Sequence, residues 1–227
     1  MKVVAILQQR MGSKRLPGKA LLPLAGKPMT ENIIERVQRA RRVDQVVLAV
    51  PATDLEAFAH MPCRVDAPLV DENDLVSRYL ITAQLCHADL IVRIPCDNPC
   101  VQPEYIDEAI EKYLGRPQVY VSTMYRHVKD RVYVDGVGAE VFSMSRLQWL
   151  DQATKGQALY REHPHKLFDD QNLIDGMEQF RKYADWDKVI RLDVNTREDY
   201  EFISGIYEMF GHNNFHVNDV LAYLESK

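Results

Sequence analysis

The sequence predicts the α/β fold class, with an open, mostly parallel (mixed) sheet and helices on both faces. Three observations predict it. Short β-rich apolar runs alternate with amphipathic stretches through the first half of the chain, the pattern of parallel strands joined by right-handed crossovers. The 227 residues are 46% hydrophobic and 27% charged, enough apolar material for a substantial core. No internal repeat, low-complexity tract or linker divides the chain, so residues 1–227 are expected to form one domain, with residues 125–175 as an irregular region inside it.

The elements follow in order. Residues 3–7, VVAIL, read as a buried strand. Residues 8–28 contain Gly12, Pro17, Gly18, Pro23, Gly26 and Pro28 and cannot sustain a helix. Residues 30–41 place Ile33, Ile34, Val37 and Ala40 at helical spacing, with Thr30 as the expected N-cap. A second strand is expected at 45–50 and a short helix at 54–60. Residues 73–86 put Leu75, Val76, Tyr79, Leu80 and Ala83 on one side of a helix. Residues 89–94 read as a third strand. Residues 103–114 open with proline in the first turn and repeat Ile106, Ala109, Ile110 and Tyr113, a helix. Further strands are expected at 119–124, 138–143, 179–183 and 189–194, and further helices at 145–154, 158–168, 197–210 and 218–225. The less regular second half is expected to add antiparallel strands.

Charge and composition exclude several classes. The formal net charge of −5 argues against a dedicated nucleic-acid-binding protein. No apolar run is long enough to span a membrane, and the first residues run straight into charge without the apolar core of a secretion signal. Cys63, Cys86, Cys96 and Cys100 are too few and too irregular for a disulfide framework, so a reduced, cytoplasmic protein is expected. The charge is uneven: residues 1–42 hold ten Lys or Arg against two acids, whereas the rest of the chain is acidic. Such asymmetry points to a local anion site. Arg36, Arg39, Arg41 and Arg42 also fit the solvated face and end of a helix, where cations complement the dipole.

The loop after the first strand carries the rest of the basic excess. It reads Gln8-Gln9-Arg10-Met11-Gly12-Ser13-Lys14-Arg15-Leu16-Pro17-Gly18-Lys19. In open α/β sheets ligands bind at the carboxyl ends of strands. Gly12 and Gly18 let the backbone approach a ligand, Ser13 and the loop amides can donate to phosphate oxygens, and Arg10, Lys14, Arg15 and Lys19 supply cations. A Walker A loop is excluded, because Gly12 to Gly18 is one residue too long and Ala20 stands where the hydroxyl belongs. The Rossmann G-x-G-x-x-G is absent as well. Taken alone, a basic Gly/Pro loop also fits a solvated turn.

The string Arg10-Met11-Gly12-Ser13-Lys14-Arg15-Leu16-Pro17-Gly18-Lys19, followed by Leu24-Ala25-Gly26-Lys27-Pro28-Met29, resembles the opening signature of the cytidylyltransferases that activate acidic sugars, the CMP-KDO and acylneuraminate synthetase type. Within that family it is most similar to the spore-coat polysaccharide (SpsF-like) branch. Further segments resemble the family in order: Asp74-Leu75-Val76-Ser77-Arg78-Tyr79, Asp97-Asn98-Pro99, residues 135–143, Arg161-Glu162-His163 and residues 191–199. The resemblance runs from residue 1 to about 203. It implies a Rossmann-like nucleotidyltransferase (GT-A-like) architecture and Mg²⁺-dependent transfer of CMP from CTP to a sugar, with release of pyrophosphate, for surface polysaccharide or glycan biosynthesis.

Site roles follow from the resemblance, residue by residue. Arg10 and Lys19 are expected to contact the triphosphate, with Gly12, Ser13, Arg15 and Lys14 around them. Backbone at Leu7, Gln8 and Gln9 is expected to meet the cytosine, and Arg78 is a further nucleotide contact. Asp97 is the expected Mg²⁺ ligand and completes a catalytic set with Arg10 and Lys19. The family's second metal aspartate falls on Asn195, which offers a carbonyl oxygen but no charge; Asp193, two residues earlier, is expected to compensate. Arg197 also replaces the family's proline, and Thr196, Glu198 and Asp199 fit an ordinary capped helix start. Glu140, Arg161 and His163 are the expected acceptor-binding residues, with Glu162 and His165 in the same segments and Arg126 and Arg131 as other candidate partners for an acceptor carboxylate. A homodimer through residues 125–175 is expected.

Other readings stay open at this stage. The chain could use another nucleoside triphosphate with a non-acidic acceptor, or be a catalytically weak nucleotide-binding relative, a reading that Asn195 keeps alive. A glycosyltransferase on a similar sheet is disfavoured, because Asp97-Asn98-Pro99 stands where such an enzyme typically carries D-x-D.

Overall fold

The computed structural model describes residues 1–115, 120–122, 134–176 and 190–226. The expected strand at 179–183 and the candidates Arg126 and Arg131 lie outside the described residues.

Strand β1 (Val3–Gln8) is fully apolar except for its last residue and is buried on both sides. A one-turn 3-10 helix (Lys19–Leu21) and a tight hairpin of β2 (Pro23–Leu24) and β3 (Lys27–Pro28) occupy the Gly/Pro-rich loop. Helix α1 (Met29–Val37) follows directly. Thr30 is inside this helix and not its cap, because its hydroxyl is drawn into the core to donate to the Ala20 carbonyl at 2.8 Å. Next come β4 (Gln45–Ala49), α2 (Leu55–Phe58), β5 (Arg64–Asp66), α3 (Leu75–Leu85) and β6 (Leu90–Pro95). Asp74 caps α3 by accepting from the Ser77 amide at 3.0 Å.

The second half contains α4 (Pro103–Gly115), β7 (Tyr120–Ser122), β8 (Val134–Asp135), β9 (Glu140–Ser143) and α5 (Met144–Ala153). The helix expected over 158–168 is two helices, α6 (Ala158–Glu162) and α7 (Pro164–Asp170). Pro164 explains the break: it cannot supply an amide to continue α6, but its fixed φ suits the first turn of α7. After β10 (Ile174–Gly176) and β11 (Ile190–Arg191) the chain closes with α8 (Arg197–Phe210) and α9 (Val217–Glu225). A reciprocal capping box, Thr196 with Asp199, opens α8, and left-handed Gly211 ends it.

Seven strands form the main sheet in the order β10-β7-β9-β6-β1-β4-β5. All pairings are parallel except those of β9, which runs against both β6 and β7. This is the open, mostly parallel, mixed sheet that the sequence predicts. Strand alternation sorts the core onto two faces. Val3, Ala5 and Leu7 of β1 pack with α1, α4, α8 and α9, whereas Val4 and Ile6 pack with α3, α5 and α7. The carboxyl ends of β1, β4 and β6 therefore emerge side by side between two helical layers. No helix among the described residues is long and apolar enough to cross a membrane.

Candidate active site

The loop after β1 returns over the carboxyl end of the sheet and is tied down from several sides. The Gln9 side chain is buried and donates to the Thr30 hydroxyl at 3.1 Å and to the Cys96 carbonyl at 3.0 Å, joining the loop to α1 and to the turn after β6. Asp54 accepts from the Met11 amide at 2.8 Å, and the Ser13 hydroxyl accepts from the Leu16 amide at 3.4 Å. Gly18 sits at φ +69°, a left-handed conformation that lets the chain turn into the 3-10 helix carrying Lys19.

The result is a cleft of about 730 Å³ lined by Gln8, Gln9, Arg10, Gly12, Ser13, Lys14, Arg15 and Lys19 on the loop side. Arg78 from α3, Asp97 from the turn after β6, His163 from the α6–α7 junction and Asn195 ahead of α8 complete the expected set within it. Residues 180 positions apart in sequence meet there: the Arg15 guanidinium donates to the Asn195 carbonyl oxygen at 2.6 Å. Lys19 donates its ammonium to the Val194 carbonyl at 2.8 Å and stands 3.6 Å from the Asp97 carboxylate. The Val194 amide in turn donates to the Asp97 carbonyl at 2.7 Å, fastening the two walls together. Arg10 donates to Glu72 at 3.2 Å and to Asn73 at 3.0 Å. Arg78 is buried and donates to the backbone carbonyl of Glu72 at 2.8 Å, holding the segment that faces Arg10. Burial, with Arg10 nearby, pushes the Arg78 guanidinium below its ordinary pKa.

Four expected residues lie elsewhere. Leu7 is core, with its side chain sealed against α1. Asp193 does not reach the cleft: Arg191 grips both its oxygens, at 3.1 and 2.8 Å, and the Asn195 amide nitrogen donates to it as well. Its part is to orient Asn195, so that the carbonyl oxygen of that amide faces Arg15. Arg161 is consumed by Asp74 at 2.9 Å, Asp151 at 2.9 Å and the Ser77 hydroxyl at 2.6 Å, which brace α3 against α5 and α6. Glu140 is fully buried in an ion pair with Arg93. The cause is the same in all three polar cases, since a buried charge is held by the strongest partner within reach.

Sequence reasoning passed over several cleft residues: Glu72, Asn73, Leu75, Tyr79, Arg93, Pro95 and Cys96. Arg93 had a visible signal, one cation inside the apolar run LIVRIP. Glu72 and Asn73 sit in an acidic stretch that reads as a plain turn. Cys96 is buried beside Asp97, and both effects raise its thiol pKa well above the ordinary value.

The cytidylyltransferase family pattern matches residues 4–219. The chain belongs to the cytidylyltransferase family. It is 29% identical to the spore coat polysaccharide biosynthesis protein SpsF of Bacillus subtilis, over 92% of this chain and 88% of that protein. It is 36% identical to the 3-deoxy-manno-octulosonate cytidylyltransferase of Trichlorobacter lovleyi, but only over 57% of this chain and 52% of that one. The solved structure of a cytidylyltransferase from Leptospira borgpetersenii superposes with a TM-score of 0.87 and 25% identity, covering 100% of this chain and 94% of the other. This member of the family is thus a nucleotidyltransferase, and its cleft is where the loop cations and Asp97 converge.

A divalent cation would find oxygen donors there. The Asp97 carboxylate and the Asn195 carbonyl come from walls joined by the Val194–Asp97 bond. Mg²⁺ typically takes one or two protein oxygens and completes its shell with phosphate and water, so this donor set fits. Among the described residues no group of three or more His, Cys, Asp or Glu could hold a metal on its own.

Proposed function

We propose that this cleft binds CTP with its triphosphate along residues 12–19 and transfers CMP to a hydroxyl of an acidic sugar, for surface polysaccharide or glycan biosynthesis. The observation that carries the reading is the meeting of Arg10, Arg15 and Lys19 with Asp97 and Asn195 in a single cleft at the carboxyl ends of the strands. The relatives support the reading: one is named a 3-deoxy-manno-octulosonate cytidylyltransferase and another a spore coat polysaccharide biosynthesis protein.

In the reaction the acceptor hydroxyl oxygen bonds to the α-phosphorus of CTP, the bond to the α–β bridging oxygen breaks, pyrophosphate leaves, and the hydroxyl proton passes to solvent. The difficulty is charge on the phosphate oxygens, and its remedy is positioning with fixed cations. Lys19, placed at the cleft by the Val194 carbonyl, meets phosphate with little movement. Arg10 and Arg15 exchange protein oxygens for phosphate oxygens. Backbone at Gln8 and Gln9 meets the base. Asp97 and Asn195 would hold Mg²⁺, which when bound supplies positive charge to the transferring phosphates.

The test is incubation with Mg²⁺, each of the four nucleoside triphosphates, and acidic and neutral sugars, read by pyrophosphate release and mass spectrometry. Pyrophosphate release with CTP and an acidic sugar, abolished by EDTA, is the expected result. Equal turnover with another triphosphate, or a neutral sugar as the preferred acceptor, overturns the finer reading.

A further inference from the structure

Strand β6 is apolar but for Arg93, which shares a sheet face with Ile91 and so points toward α3. Its register partner on β9 is Glu140. Nη1 of Arg93 donates to the Glu140 carboxylate, which is wholly buried. Burial opposes the charge on Arg93, but Glu140 more than offsets it and the guanidinium stays protonated. Two further facts do not fit a purely structural ion pair. Arg93 lines the cleft although its side chain is only 10% exposed. Its Nε is buried with no hydrogen-bond partner among the described residues, a condition rare in folded proteins outside sites that await another group.

A guanidinium is a planar fork of five donors. Glu140 takes one of them and fixes the plane. The fork comes from the sheet floor and not from the basic loop, so it is separate in sequence and in element from the cations assigned to the triphosphate. Arg161, the cation expected to meet an acceptor carboxylate, is already committed to Asp74 and Asp151.

We propose that Arg93 recognises the carboxylate of the acceptor sugar acid, with Glu140 as the positioning residue that holds its fork. This rests on the cytidylyl-transfer reading and adds the subsite that selects acids. Two N–H donors against two carboxylate oxygens make a geometric match that a lysine cannot reproduce. The buried Nε of Arg93 then gains a partner that the described residues do not provide.

The test separates this inference from the reading it rests on. CTP binding to the wild type is measured by calorimetry, and absence of binding removes the parent reading. Acceptor recognition is measured by saturation-transfer NMR on protein loaded with CMP and Mg²⁺, which cannot turn over. The probes are 3-deoxy-manno-octulosonate and N-acetylneuraminate, each paired with its methyl ester. At least one acid is expected to give signal while its ester does not. R93K is expected to weaken that acid about tenfold and R93M about 100-fold, the range that charge-assisted hydrogen bonds span, with CTP affinity within twofold of wild type. Because R93M leaves Glu140 buried and unpaired, R93M/E140M serves as the folding-safe variant, replacing the pair by apolar chains of similar length. Equal signals from acid and ester, no signal from either acid on CTP-competent protein, or retention of the acid signal in R93M/E140M overturns the proposal.

Discussion

Replacing Lys19 with Met removes an ammonium that touches both walls of the cleft. Its Nζ donates to the Val194 carbonyl at 2.8 Å and lies 3.6 Å from Asp97. At an effective dielectric near 20, unit charges at that separation interact by about 4–5 kcal/mol. The side chains are 14% and 31% exposed, so solvent screening and the cost of ordering leave a net contribution to folding of about 1 kcal/mol. The proposed reading makes the catalytic loss larger, because it sets this cation against phosphate charge in the transition state, inside a walled cleft. Removing one such preorganised donor costs about 3–4 kcal/mol, or roughly 10²–10³-fold in rate. K19M is therefore expected to fold, to melt only a few degrees lower, and to lose about 10²–10³-fold in kcat/KM for CTP. The assay is coupled pyrophosphate release over a CTP series, beside a thermal melt. Activity within threefold of wild type would refute the placement of the triphosphate, whereas a collapse of the melt would show that Lys19 acts on the fold instead.

Other perturbations test the scaffold. Gly136 has φ +85°, and a Cβ there would come within 2.6 Å of the Asp193 backbone nitrogen; G136A is expected to cost about 2–4 kcal/mol in a urea titration and to lower activity by shifting Asn195. Asp74 is half-shielded, and although burial alone would raise its pKa, Arg161 and the Ser77 amide bring it below the ordinary 3.8. A depressed carboxylate contributes stability above its unfolded pKa of about 4 and loses it as pH falls through the folded value, so D74N should shrink the difference between urea midpoints at pH 7 and pH 3. Burial pushes the thiols up, Cys63 to about 11 and Cys100 to about 12, and raises Cys86 and Cys96 too. Thiolate is the reactive form, so a disulfide reagent at pH 8 should label the native protein far more slowly than the protein in urea.

The parts of the fold legible in the sequence are those with local chemistry. The bounds expected for helix α8, 197–210, match the structure: Thr196 and Asp199 mark its start in the sequence, and a left-handed Gly211 ends it. β1, β4 and β6 announced themselves as short apolar runs. β5, only three residues with the sequence RVD, carries no apolar pattern and exists because β4 offers it an edge. The hairpin of β2 and β3 is likewise too short for periodicity to register. In the site, the basic loop was legible because its charges are contiguous. The fates of Arg161 and Glu140 were not, since each was decided by a partner far away in sequence, and that of Asp193 was set by the orientation of Arg191 only two residues before it, which no sequence pattern reveals. Asp74 and Arg93, which claim two of them, stand 87 and 47 residues away.

These long-range pairings also account for how the cleft is built. Three of the loop cations already hold protein oxygens: Arg10 holds Glu72 and Asn73, Arg15 holds Asn195, Lys19 holds Val194 and Asp97. Three of these oxygens are neutral, and the two carboxylates on Arg10 and Lys19 are partly exposed, so a triphosphate of high charge density can displace them at modest cost. The exchange leaves the cations nearly where they stood, which spares the side-chain ordering that would otherwise weaken binding. Glu140 differs in kind. It is fully buried and cannot be exchanged for a ligand, so any group that reaches Arg93 must add to that pair and not replace it. The cleft thus has two sorts of cation, exchangeable ones on a loop for the nucleotide and a permanently paired one on the sheet floor. On the proposed reading, that difference would separate the two substrates before either has bound.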